Sequence, residues 1–226
     1  MKKYKLTEEK IETFGKTLFR IKALIDFSDV KEGELGGFVE NEGNLSHLNN
    51  CWISENARIY GNAIIEGNAI IGGDAKVYGD AKVYGDAEIC GDAEICGDAE
   101  IYGDAIIYGN AEIYGNAKIC GDAKICGDVK ICGNAEISGD TEICGKAIIY
   151  GDAIINGNAD YIVFKNWWSS GRYFTWTRSN NMWCVDCFYG NGKELIEKAY
   201  NDSELSGREY ARIVNYVNEI VKNSEI

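Results

Sequence analysis

The chain has 226 residues, a formal net charge of −13, no proline and 27 glycines, enough for one large domain or two small ones with a substantial core. It holds no run of 18 apolar residues, and Met1-Lys2-Lys3-Tyr4 opens into mixed polar sequence, so neither a membrane span nor a signal peptide is expected. Nine cysteines without a secretion signal point to a reducing cytoplasm, where free thiols act as small hydrophobes. The charge is uneven: residues 51–160 carry 19 acids and 7 bases, a net −12, whereas the flanking segments are close to neutral. Such a segment disfavours direct nucleic-acid binding, because neutralising phosphate needs Lys and Arg. A basic protein partner, or a protein surface built for DNA, is its complement.

Residues 1–52 read as an N-terminal β cap. Lys10–Thr13 and Thr17–Ile21 flank a turn at Phe14-Gly15-Lys16, and Gly36–Val39 and Cys51–Ile53 lead into a repetitive segment.

From Ala57 to Ala159 a small residue recurs every six positions, giving 18 units, with only Val129 and Thr141 departing from alanine. Two residues after each small one, from Ile59 to Ile155, stands Ile or Val, and a pair, usually Gly-Asp or Gly-Asn, separates the units. Residues two apart on a strand share a face, so Ala57 and Ile59 point inward while Arg58 and Tyr60 point out. Gly with Asp or Asn supplies a corner that tolerates left-handed backbone angles. Three strands close a triangular coil of 18 residues, so residues 53–160 form a solenoid of six coils, about 25–30 Å long at ~4.8 Å per coil. Outward charges test that length. The column Lys82, Glu100, Lys118, Glu136 alternates in sign, and Lys76 lies beside Glu94 and Glu112 beside Lys130.

This pattern, aliphatic-x-Gly-Asp-Ala-x, resembles the hexapeptide repeat of left-handed β-helix proteins over about half the chain. The resemblance implies a left-handed parallel β-helix in a mainly β protein. The segment Asp26–Lys31 followed by Leu35–Glu40 is similar to the entry segment of bacterial and prophage hexapeptide proteins of unknown function.

After Asp160 the period breaks into a small α+β domain, residues 161–226. Tyr161–Phe164, Arg172–Thr177 and Met182–Val185 read as three strands, and helices follow near Lys193–Tyr200 and Arg208–Lys222. Ser206 with Glu209 has the spacing of a capping box for the second helix. The region resembles the carboxy-terminal domain of phage-encoded hexapeptide proteins.

No catalytic residue, metal site or cofactor is expected. Many left-handed β-helix proteins are acyltransferases with a histidine on a coil, but the single histidine, His47, precedes the repeat and reads as a surface or capping residue. Cys184 and Cys187 have metal or redox spacing without a second pair, and as strand residues they would face opposite sides. Cys126 and Cys144 are vertical neighbours for which a disulfide is conceivable, though in-register parallel neighbours rarely have the geometry. Stacked corner aspartates could hold Ca²⁺, or could simply be good corner residues.

Two candidate surfaces remain. One is a protein-interaction surface on the solenoid, with Ile106, Tyr108, Tyr78 and Tyr114 and the acidic corners Asp86, Asp104, Asp122 and Asp140; its exposed apolar rows also suggest a homo-oligomer. The other is a ligand site at Trp167, Trp168, Ser169, Ser170, Arg172 and Arg178, where rings could stack a base and a guanidinium hold a phosphate, unless the aromatics form the domain's core. The expected function is that of a non-enzymatic, acidic, phage-type protein that occupies a host protein in the cytoplasm, as an anti-defence, anti-CRISPR-like inhibitor would. A nucleotide-sequestering protein and a structural rod are the alternatives.

Overall fold

The computed structural model describes residues 2–224. Seventeen short strands, β5 to β21, recur every six residues from Arg58–Ile59 to Ile154–Ile155. Their alanines and aliphatics are essentially without exposure, so every coil contributes the same dry layer to one continuous core. Coils pair in parallel at a spacing of 18: Glu100 lies between Lys82 and Lys118, and Ile107 between Ile89 and Ile125. The backbone bonds repeat with the coil, as in Ile106 N–H to Ala123 O (2.9 Å) and Cys90 N–H to Ile107 O (2.9 Å). Corner glycines adopt positive φ, and at Gly97 (+74°) an added Cβ would sit 2.8–2.9 Å from the Gly115 carbonyl oxygen and nitrogen of the next coil. Glycine here meets two demands together, a left-handed backbone and a close vertical approach.

Parallel stacking begins before the hexapeptide pattern does. Strands β1 (Tyr4–Thr13) and β2 (Lys16–Ala23) form the expected hairpin around Phe14 and Gly15, both at positive φ. β2 pairs antiparallel with β3 (Leu35–Val39), and β3 pairs parallel with β5, extending one solenoid sheet. Val39 stacks on Ile59 and Leu45 bridges Ile65, each 20 residues apart, whereas Ile53 of β4 (Trp52–Ile53) stacks on Ile71 at 18. A seventh turn thus precedes the six that the repeat predicts. Asn44 secures it by donating to Gly61 O (3.1 Å) and Ala63 O (2.9 Å). Buried Lys3 closes the same end, donating to Cys51 O (2.7 Å), and burial holds its amine below the usual lysine range. The eighteenth unit behaves differently from the others: Asn158–Asp160 turns as a short 3₁₀ helix and makes no strand.

The carboxy-terminal domain is a four-stranded antiparallel sheet, one strand more than expected: β22 (Tyr161–Lys165), β23 (Tyr173–Thr177), β24 (Met182–Val185) and β25 (Phe188–Gly190). The fourth strand is only three residues long and follows a two-residue turn, too short for pattern to reveal. Helix α1 (Gly192–Asp202) starts at a capping box of Asn191 and Glu194. Helix α2 (Glu204–Ser224) starts earlier than expected, and Ser206 lies inside it. The Ser206–Glu209 capping box does not form. Ser203 Oγ accepts from Ser206 N–H (3.1 Å), and Glu209 instead pairs with Arg212.

This domain seats on the last coil. That coil presents amides that would otherwise donate to a further coil, and side-chain oxygens meet them: Ile148 N–H to Thr175 Oγ1 (2.9 Å), Ile154 N–H to Ser179 Oγ (2.7 Å) and Asn156 N–H to Asp160 Oδ2 (2.9 Å). The domain is therefore a cap in the physical sense, satisfying an edge that would otherwise be open to pairing.

Candidate functional site

The corners of the prism form three vertical columns with different chemistry. In two of them asparagine or lysine interrupts the aspartates. Asn62 donates to Asp80 (2.8 Å), Asn134 to Asp152 (2.7 Å) and Asn110 to Asp128 (2.8 Å). Lys146 also pairs with Asp128 (3.3 Å), and these two partners, the Asn110 amide first, hold that carboxyl below its ordinary range. The third column is different: after Asn68, which donates to Asp86 (2.9 Å), come Asp104, Asp122 and Asp140 in successive coils. All four aspartates are exposed, and among the described residues no side chain bonds to Asp104, Asp122 or Asp140. These are the four acidic corners singled out from the sequence, and their spacing of 18 residues places them in one column.

The flat faces also differ. On two of them, charges are matched within their own columns, as in Lys130–Glu112 (2.7 Å), Lys82–Glu100 (3.6 Å) and Lys76–Glu94 (3.7 Å). On the third, the outward column reads Ile70, Glu88, Ile106, Lys124, Glu142. Glu88 and Lys124 are exposed and have no ion-pair partner among the described residues. Ile70 and Tyr108 stand 46% and 41% exposed on this face, and Ile106, in register between Glu88 and Lys124, is half-buried.

The tyrosine column is consumed partly by the fold, which corrects the expectation drawn from the repeat. Tyr60, expected outside, is buried under the hairpin against Leu18 and Phe38. Tyr78 stacks on it (ring centroids 4.8 Å) and donates to Glu94 at 2.5 Å, so Tyr78 is not a free contact residue. Tyr114 remains exposed, and a hydrogen bond with Cys132 pushes its phenol up. Further along, Tyr150 meets Tyr189 of the cap (4.9 Å).

Cys126 and Cys144 are in register, with Cα atoms 4.5 Å apart and their sulfurs paired. Cys184 is buried, and burial pushes its thiol up to about 12. Cys187 lies in the exposed β24–β25 turn rather than on a strand, so the two do not form a facing pair. His47 lies half-buried in the N-terminal cap, its ring tilted against Tyr4 (centroids 4.4 Å), and burial lowers its pKa.

The expected ligand loop is taken apart by the structure. Ser169, Ser170 and Arg172 line a cleft of about 240 Å³ with Asn166, Asp202 and Tyr210. Trp168 is not on its wall: it packs edge-on against Tyr210 (5.1 Å) as part of the domain core. Trp167 is 77% exposed and lines neither this cleft nor its neighbour. Arg178 borders a separate cleft with Trp176 and Lys222. Arg172 is also held by Asp186 (3.2 Å), and the Asp202 carboxylate shares its cleft. Of the expected set, Ser169, Ser170 and Arg172 thus share a cleft whose ring is Tyr210, while Trp167, Trp168 and Arg178 stand outside it and the Asp186 and Asp202 carboxylates lie near the Arg172 cation.

These features define a parallel β-solenoid repeat protein with distinct end caps. A family model described as the YdcK beta solenoid repeat matches residues 57–73, almost one full coil. A search of curated proteins finds no match to the chain. No helix among the described residues is long and apolar enough to cross a membrane.

Proposed function

We propose that this is a non-enzymatic binding protein whose rigid solenoid presents an acidic ladder to a basic protein partner. The observation that carries the reading is the uninterrupted column Asp86, Asp104, Asp122, Asp140, the last three without a side-chain partner among the described residues, within a segment of 19 acids and 7 bases. Carboxylates fixed at about 4.8 Å intervals match lysine and arginine rows of the kind that contact nucleic-acid backbones. Such a protein acts by occupying that surface, and a phage protein blocking a host defence effector is one setting in which this would serve. The test compares the wild type with a variant carrying Asn at all four positions as baits in a lysate at low salt. The expected result is a basic protein retained by the wild type, lost from the variant and released by salt. Equal recovery by both baits would overturn the reading.

The third face supports a second, compatible reading as a homo-oligomer contact. An antiparallel copy related by an axis through Ile106 sets Glu88 of one protomer against Lys124 of the other, and Ile106 against itself. Sedimentation should show a dimer that Lys124→Glu dissociates and that the double variant Glu88→Lys, Lys124→Glu restores. A monomeric wild type ends this reading.

A further inference from the structure

We propose that Cys126, Cys144 and Glu142 form a site for a soft divalent metal ion when the two cysteines are reduced. Cysteine occurs repeatedly at this outward position of the repeat, but elsewhere its vertical neighbours are different residues. Cys90 lies between Gly72 and Tyr108, Cys96 between Tyr78 and Tyr114, and Cys132 between Tyr114 and Tyr150. Only Cys126 and Cys144 stack on each other, and here the strands lengthen. β16 (Lys124–Gly127) and β19 (Glu142–Gly145) run to four residues where other coils have two, adding the pairs Cys126–Cys144 and Gly127–Gly145. The sulfurs thus project from the longest ladder on that face.

Glu142 supplies the third donor. It precedes Cys144 by two residues on the same strand, so both point outward, and its Oε1 lies 3.6 Å from Cys144 Sγ. The two sulfurs and a carboxylate oxygen lie within 4.8 Å of one another. Metal–sulfur bonds of ~2.3 Å in a tetrahedron place neighbouring ligands roughly 3.8 Å apart, within reach of small side-chain rotations here. Two thiolates and a carboxylate suit zinc or cadmium rather than magnesium or calcium. Lys124, in register with Glu142, sits beside this anionic set, and the fourth coordination position faces solvent because Glu142 is exposed and Cys144 half-exposed.

The pairing of the two sulfurs makes the site conditional on redox state. A thiol reductant transfers two electrons and, with two protons, converts the disulfide to two thiols while its own thiols become a disulfide. The metal ion then displaces both thiol protons as it binds.

The experiment adds Cd²⁺ alone to the full chain, reduced and freed of reductant, in a Cys90→Ser, Cys187→Ser background that removes the exposed free cysteines. The thiolate-to-cadmium ultraviolet band should saturate at one equivalent and be absent from the oxidised protein. Cys126→Ser and Cys144→Ser should each abolish it, and Glu142→Gln should weaken binding by about tenfold or more. Serine already occupies this repeat position at Ser138, and thermal melts of the variants are to be run alongside as the check on folding. No band in the reduced protein, a band surviving either serine variant, or an unchanged affinity in Glu142→Gln would each overturn the site.

Discussion

The solenoid and its carboxy-terminal cap bury apolar surface in opposite ways. In the solenoid the core is assembled from alanine and β-branched aliphatics in near-identical layers, with none of these side chains exposed. In the cap a few large rings interlock: Phe174, Trp176 and Trp183 are buried, and Phe174 lies 5.0 Å from Tyr210 and 6.0 Å from Trp183. The first arrangement spreads stabilisation over many nearest-neighbour contacts, as repeat proteins do. The second concentrates it in a handful of residues. That difference also explains where specific chemistry can stand. A repeating core frees its outward positions to vary, whereas a small domain must spend its aromatics on itself.

The largest expected effects break this contrast directly. Trp183→Ala should cost about 3–5 kcal/mol and Ile107→Ala about 2–5 kcal/mol. The first should unfold the cap ahead of the solenoid, and the second should weaken the solenoid. Denaturation followed by tryptophan fluorescence and by circular dichroism separates them, since four of the five tryptophans lie in the cap. Coincident transitions in both variants would show that the two regions unfold as one unit.

Next comes the corner. Gly97→Ala should destabilise by about 1–3 kcal/mol, because the alanine must hold a left-handed φ with its Cβ pressed on the Gly115 backbone. The shift in denaturation midpoint measures it, and Asp98→Asn, one residue on, serves as the mild control. At the junction, Thr175→Val keeps the shape but leaves the Ile148 amide without its acceptor, for about 1–3 kcal/mol. If the cap is seated by these side-chain oxygens, hydrogen exchange of the last coil should rise more than that of the middle coils.

A pH experiment sharpens the account of the other end. Burial, aided by Glu94 and Cys96, pushes the Tyr60 phenol up to about 12 from an ordinary value of 10.0. A raised phenol binds its proton more tightly when folded. Its contribution is therefore complete below about pH 10 and is lost as pH rises from there through about 12. Tyr60→Phe should flatten that alkaline decline in melting temperature; an unchanged slope would place the titration elsewhere. The smallest effect is expected at the acidic ladder. Asp104→Asn relieves repulsion from Asp86 and Asp122 and should stabilise by under about 1 kcal/mol at low salt, an effect that added salt removes.

Much of the solenoid was legible because its information is local and repeated. The inward Ala-x-Ile rows, the glycine corners and the 18-residue register all follow from one period, and the charge pairs Lys82–Glu100 and Lys130–Glu112 appear where that register puts them. The hairpin at Phe14-Gly15 was equally readable. The added first turn was not, because Val39 and Leu45 stack at 20 residues rather than 18 and so lie outside the period. Nor was the ligand loop: Trp168 and Arg172 are close in sequence, but one ring turned into the core and the guanidinium turned toward Asp186.

The sequence by itself determined the coil, its length, its inward rows and the acidic character of its surface, since each depends only on residues at fixed spacing. Tertiary structure alone decided which outward residues remain available. The hairpin covers Tyr60, and the side-chain oxygens of Thr175 and Ser179 close the last coil. Those outcomes depend on how separate segments meet in space, and a period within one segment cannot record them.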